Sequence, residues 1–260
     1  MAIKRIGILG AMPEEINGIV SLLDNKSTVV KGMRTYYVGT IDGIEVVVVF
    51  SRWGKVAAAT TVTHLIVEFG VTQVIFTGVA GAISHNLNVG DFVVADSLVQ
   101  HDLDARPIMK RFEIPLLGKT ILCPSQVMME KAYESINGLV EKDCLIRMFS
   151  EEQLSKFSLY NQKVYVGQIA SGDKFFSSAV DKENLLEALP DVLCVEMEGA
   201  AVAQVCFEYN IPYLIIRVIS DDSNENSVVD FKEFVTEIAS VLGVQILQKL
   251  LSDFKNDFQY

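Results

Sequence analysis

Val195-Glu196-Met197-Glu198-Gly199-Ala200-Ala201 is the stretch whose reading decides the fold. Before it stands Asp191-Val192-Leu193-Cys194, short and apolar, which predicts a buried strand. After it, Ala200 to Glu208 contains no Pro or Gly and is rich in small apolar residues, which predicts a helix. Two carboxylates therefore stand where a strand hands over to a helix. In open α/β sheets that handover lies at the carboxyl end of a strand, where ligands bind. A carboxylate there accepts two hydroxyl hydrogen bonds at once, which suits a vicinal diol. Glu198 read alone is equally a first-turn acid favoured by the helix dipole. The next strand shifts the balance. Tyr213 to Ile219 is continuously apolar apart from Arg217 and ends in Ser220-Asp221-Asp222, so a second strand delivers acids at its own carboxyl end.

Working outward, Lys4-Arg5-Ile6-Gly7-Ile8-Leu9 predicts a buried first strand, and Gly10-Ala11-Met12 a tight exit. Pro13-Glu14-Glu15 then opens a helix, with Pro at the first helical position and acids in the first turn, both favoured there. Thr28–Thr40 and Ile44–Phe50 read as two β-rich runs joined by Asp42-Gly43, a hairpin signal. Ser51-Arg52-Trp53-Gly54-Lys55 leads into an Ala-rich helix over Val56–Glu68. Val74-Ile75-Phe76 is a further buried strand, followed by the Gly-rich loop Thr77 to Ala82, which lacks both the P-loop Lys and the GxGxxG spacing. Asp91–Asp96 and Lys163–Ala170 complete the strands; Glu130–Glu141, Glu151–Lys156 and Phe231–Leu251 read as helices. Strands alternating with helices, plus one hairpin, predict a single α/β domain over residues 1–260: a three-layer α/β/α sandwich around a mixed, mainly parallel central sheet.

The composition sets bounds. Half of the 260 residues are hydrophobic and 21% are charged, which suits a large core. No uninterrupted apolar run reaches the roughly 18–20 residues of a membrane span, and the first residues are too short and acidic for a signal peptide, so a cytoplasmic protein is expected. A net charge of −11 disfavours nucleic acid or an anionic lipid surface as partner. The four cysteines have no metal-ligand spacing, and His101-Asp102 lacks a third ligand, so no metal is expected.

The motifs Val195 to Ala200 and Arg217 to Asp221 resemble two motifs of the nucleoside phosphorylase and nucleosidase superfamily. Gly7 to Glu15 is similar to the amino terminus of one branch, the 5'-methylthioadenosine/S-adenosylhomocysteine nucleosidases. The resemblance runs from about Ile6 to the last helix. It implies a nucleoside phosphorylase-like fold, hydrolysis of an N-glycosidic bond, and no cofactor beyond the nucleoside and water. It assigns Asp221 as the acid that protonates the purine, oriented by Ser220, and Glu15 as the carboxylate that activates water, with Arg217 positioning the water or the base. Glu198 then binds the ribose hydroxyls, Met197 packs under the ribose, and Glu196 and Met12 stand beside it. Val79, Ala80 and Gly81 approach the ribose or the water. Phe175 stacks on the purine, backbone groups at Phe176 bond its edge, and Phe231 caps the pocket. Where the family has a small aliphatic residue this chain has Trp53, which either lines the pocket for the 5'-substituent or covers a dimer contact.

A homodimer is implied in which the segment 101–119 reaches the partner's pocket, with Lys110 and Arg111 as ordinary solvated charge or as partners for a carboxylate tail. Two other functions are weighed. A phosphorylase needs a cationic cradle for phosphate; relatives that use phosphate carry an Arg near the first strand's exit, where this chain has Glu14 and Glu15. A non-catalytic nucleoside-binding protein would not need both Glu15 and Asp221.

Overall fold

The computed structural model describes residues 5–255; Lys4, read above as part of the first strand, and the outermost residues of the 1–260 span lie outside the described residues. The strands are β1 (Arg5–Gly10), β2 (Asp24–Lys31), β3 (Arg34–Ile41), β4 (Ile44–Phe50), β5 (Gln73–Ala82), β6 (Phe92–Gln100), β7 (Val164–Ser171), β8 (Val192–Glu196) and β9 (Tyr213–Asp221). The helices are α1 (Pro13–Ser21), α2 (Lys55–Val67), α3 (Gln126–Glu141), α4 (Glu151–Phe157), α5 (Ala179–Ala188), α6 (Gly199–Glu208), α7 (Ser227–Phe234) and α8 (Ser240–Lys255). All nine strands form one sheet in the order β2-β3-β4-β1-β5-β8-β7-β6-β9. Pairing is parallel for β1–β4, β1–β5, β5–β9, β6–β7 and β7–β8, and antiparallel for β2–β3, β3–β4, β5–β8 and β6–β9. The β5–β9 pairing curls one end of the sheet closed, so β5, β6, β7, β8 and β9 form a ring.

Helices cover both faces. On one side α1 and α3 pack against α8, whose Leu242, Ile246, Leu247, Leu250, Leu251 and Phe254 are buried. Each such side chain stabilises the fold by about 1.5–3 kcal/mol. On the other side α6 lies on α2, where Ala58, Ala200, Ala201 and Ala203 let the two backbones approach closely. β9 is buried over its whole length, as expected for a strand covered on both faces.

Several boundaries differ from the sequence reading, and three of the differences change the character of an element. The run Thr28–Thr40 is two strands, because Gly32 and Met33 both take positive φ (55° and 59°) and make a tight hairpin turn. The Gly-rich stretch Thr77 to Ala82 is strand, not loop: it continues β5 and pairs with β9 as far as Gly81. The last helix is interrupted by one π-helical turn over Val235–Ala239. This widened turn lies just beyond Phe231, which faces the cavity described below, while Phe234 is buried against Phe157 in the core. The span Asp230–Lys255 is long and apolar enough to cross a membrane by length and composition, yet 56% of its apolar window is buried inside the molecule, where it forms core.

Candidate active site

A cavity of about 320 Å³ opens where β1, β5, β7, β8 and β9 end. Ala11 and Met12 line it after β1, Trp53 before α2, and Val79, Ala80 and Gly81 within the last turnless residues of β5. Lys174, Phe175 and Phe176 follow β7; Val195 to Glu198 end β8; Ser220, Asp221 and Ser223 end β9; Val228, Phe231 and Lys232 come from α7. Segments distant in sequence converge here because β1, β5 and β9 run parallel, while β8, antiparallel to β5, overlaps it only where both strands end, Gly81 opposite Val195, and brings its parallel neighbour β7 with it.

Glu15 is buried at the third position of α1. Its Oε2 accepts the N–H groups of Ala11 and Met12 at 2.8 and 3.0 Å, so it is the helix-opening acid that its position suggests. Its other oxygen, Oε1, is buried with no hydrogen-bond partner. Gly78 makes room for it: a Cβ at that position would stand 3.3 Å from Glu15 Oε1. Burial pushes the Glu15 carboxyl up to about 7, against the smaller opposing pull of Arg217 and the backbone N–H donors. A carboxyl that exchanges its proton near neutral pH suits a general base.

Glu196 and Glu198 point to different tasks. Glu196 accepts the hydroxyl of Ser171, the N–H of Glu198 at 3.1 Å, both-oxygen contacts from the N–H of Gly199 at 2.9 and 2.8 Å, and Arg217 Nη2 at 2.6 Å. It therefore anchors the first turn of α6. Glu198 is held by one oxygen only, which accepts the N–H of Gly54 at 2.8 Å, and it lines the cavity. Burial first, then the neighbouring charge of Glu196, raises its carboxyl to about 8. Gly54 adopts φ +89°, a conformation that favours glycine, and a Cβ there would meet Asp173 Oδ1 at 3.0 Å.

Asp221 lines the cavity and is buried. Its Oδ2 accepts the Ser220 hydroxyl at 2.8 Å, and its Oδ1 accepts the N–H of Ser223 at 2.9 Å. Burial raises its pKa, tempered by those two donors and by Ser227. Gly81 is required beside it, since a Cβ would stand 3.0 Å from Asp221 Oδ1 and collide with the Ser223 hydroxyl. Phe175 packs edge-on against Phe231, with ring centroids 5.6 Å apart, leaving Phe175 39% exposed. Phe176 is buried against His101. Trp53 is 57% exposed at the rim, and its indole N–H donates to the Met12 sulfur at 3.1 Å.

The structure thus brings to one cavity Met12, Trp53, Val79, Ala80, Gly81, Phe175, Phe176, Glu196, Met197, Glu198, Ser220, Asp221 and Phe231. Glu15 and Arg217 stand behind the wall and line no part of it. Arg217 is fully buried, with its guanidinium on Glu196 and over the Phe76 ring. Lys174, Lys232, Ser223 and Val228 line the cavity without having been singled out; only the spacing of Val228, Phe231 and Lys232 on one helical face marks them in sequence. His101 and Asp102 serve packing: Asp102 accepts Lys55 Nζ at 2.6 Å and the N–H of Asp173 at 2.9 Å. Of the segment 101–119, Phe112 and Ile114 fold back into the core of the chain itself, while Ile108 and Leu116 are 86% and 94% exposed.

Residues 5–252 match the model of the phosphorylase superfamily. A 5'-methylthioadenosine/S-adenosylhomocysteine nucleosidase of Staphylococcus aureus is 34% identical over 95% of this chain and 99% of its own length. Among solved structures, the nucleosidase of that name from S. pneumoniae, with the transition-state inhibitor MT-ImmA, superposes with a TM-score of 0.80 at 34% identity, over 95% of this chain and 98% of that one. Futalosine hydrolase of Helicobacter pylori superposes with a TM-score of 0.82 at 31% identity, over 96% of this chain and 98% of that one. With a family match from β1 to α8, and relatives aligned along almost their whole length, the chain belongs to the phosphorylase superfamily, among its 5'-methylthioadenosine/S-adenosylhomocysteine nucleosidases.

Proposed function

We propose that the chain, folded as a single nucleosidase domain, hydrolyses the N-glycosidic bond of 5'-methylthioadenosine and S-adenosylhomocysteine, releasing adenine and the 5'-substituted ribose. The observation that carries this reading is the pairing of two buried carboxyls of raised pKa from opposite ends of the chain: Asp221 in the cavity wall and Glu15 beneath it. Asp221 protonates the leaving purine; the electron pair of the C–N bond goes to the base. Glu15 takes a proton from the water that attacks the anomeric carbon, as the paired carboxyls of inverting glycosidases do. Glu198 binds the ribose diol through its oxygen not held by Gly54. Phe175 and Phe231 supply faces for the base and the sugar.

Water rather than phosphate is the favoured nucleophile. The cation nearest Glu15 is Arg217, which is engaged by Glu196, and Lys174 is paired with Asp181 at 2.7 Å. The reading includes a homodimer whose 101–119 segment reaches the partner's pocket, supported by the exposed Ile108 and Leu116. It also includes a cytoplasmic setting, supported by four unpaired cysteines. The test is to incubate the protein with methylthioadenosine, with and without phosphate, and separate the products. Adenine and free methylthioribose support the reading; a sugar phosphate overturns it in favour of a phosphorylase. Futalosine belongs in the same assay, given the likeness to its hydrolase.

A further inference from the structure

Three carboxyls and one guanidinium are buried together behind and within the cavity wall: Glu15, Glu196, Glu198 and Arg217. One cation does not neutralise three acids, so geometry decides which acid holds it. Arg217 Nη2 donates to Glu196 Oε2 at 2.6 Å, and Nη1 donates to the carbonyls of Ile216 and Phe76 at 2.9 and 3.3 Å. Glu196 fills its remaining acceptor sites with Ser171 and the amides of Glu198 and Gly199. Glu15, by contrast, keeps one buried oxygen outside hydrogen-bonding geometry, with the Val79 N–H a further backbone donor facing its carboxyl, and Glu198 has a single protein donor, the N–H of Gly54.

We propose that Glu196 is a positioning residue of the hydrolytic site: by occupying Arg217 it withholds the cation from Glu15, leaving that carboxylate free to take up the proton of the attacking water, and from Glu198, leaving that carboxyl free for the ribose. This rests on the hydrolase reading. The surrounding groups fit. Burial raises Glu15 and Glu198, the charge of Glu196 raises Glu198 further, and Arg217 opposes both. No second cation comes from the other groups that feel Glu196: the Cys194 thiol, in the same strand, is pushed up by burial, and burial holds His101 low. Asp221, on β9, is a further acid facing the cavity. The same carboxylate also fixes the amide of Glu198, so one side chain sets both the place and the charge environment of the ribose-binding acid.

The pH profile of kcat/KM separates this role from a merely structural one. In Glu196→Gln, Arg217 is released toward Glu15 and Glu198. The acid limb should then move to lower pH by about one unit, and the plateau should fall about tenfold as the base weakens. In Glu196→Gln/Arg217→Gln the charges leave together, and the limb should return to its wild-type position. A folded, active Glu196→Gln with an unmoved limb overturns the proposal while the hydrolase reading stands. A wild type that cleaves no nucleoside removes both. If Glu196→Gln does not fold, carboxyl-carbon NMR of the wild type decides: the Glu15 and Glu198 signals should move between about pH 6 and 9, and a protein in which neither moves there overturns the proposal.

Discussion

Glu15 uses its two oxygens differently, one to open α1 and one left bare beneath the cavity, so the structural and the chemical reading of this residue hold together. Replacing Glu15→Gln should abolish hydrolysis while calorimetry still detects binding of a non-cleavable nucleoside analogue; lost binding in a normally folded variant would move Glu15 to the sugar or base contacts. Its raised pKa also bears on stability. Glu15 and Glu198 titrate at about 7 and about 8 in the folded protein, against 4.5 for an ordinary glutamate. The folded state therefore holds protons that the unfolded chain releases. That stabilisation is fully present below about pH 4.5 and is lost as pH rises through 7 and 8, by on the order of 3–5 kcal/mol for either group taken singly. Urea midpoints should fall between about pH 5 and 9, and Glu15→Gln should flatten the decline; an equally steep fall in the variant would show that Glu15 does not carry it. Asp221→Asn should lower turnover about 10²–10⁴-fold with an unchanged melting profile, since Asp221 is the positioned acid. Wild-type turnover in that variant would contradict the assignment.

At the scale of elements, β5 shows how a glycine run serves chemistry without being a loop. Gly78 leaves space for the Glu15 carboxylate, and Gly81 for Asp221 and Ser223. Gly78→Ala should displace Glu15 Oε1, lowering kcat about tenfold or more, while costing stability only roughly 1–3 kcal/mol; unchanged kcat would show that the carboxylate shifts without consequence. Much of this was legible in the sequence. Apolar runs marked β1, β4, β8 and β9, and acids at the ends of β8 and β9 marked the site. What was not legible has physical reasons. The hairpin between β2 and β3 depends on Met33 taking positive φ, which a non-glycine residue does not advertise. Glycines in β5 mimic a loop because the close approach that demands them comes from Glu15 and Asp221, distant in sequence. The partnership of Arg217 with Glu196 needs β8 and β9 to be brought together around the closed ring, and no local pattern encodes that.

For the whole molecule, the ring of β5 to β9 gathers strand ends into one cavity, and α7 with its following π-turn sets Phe231 over it. The exposed Ile108 and Leu116 argue for a second copy covering them, in an isologous contact. Sedimentation at low protein concentration should show a dimer, and Leu116→Glu should weaken both dimer and activity; a stable monomer with full activity would contradict this. The central claim, that water attacks the anomeric carbon, is tested most directly by turnover of methylthioadenosine in ¹⁸O-labelled water with phosphate present. The account predicts one ¹⁸O in the released methylthioribose at a rate independent of phosphate. Unlabelled sugar phosphate, formed in proportion to the phosphate added, would contradict it.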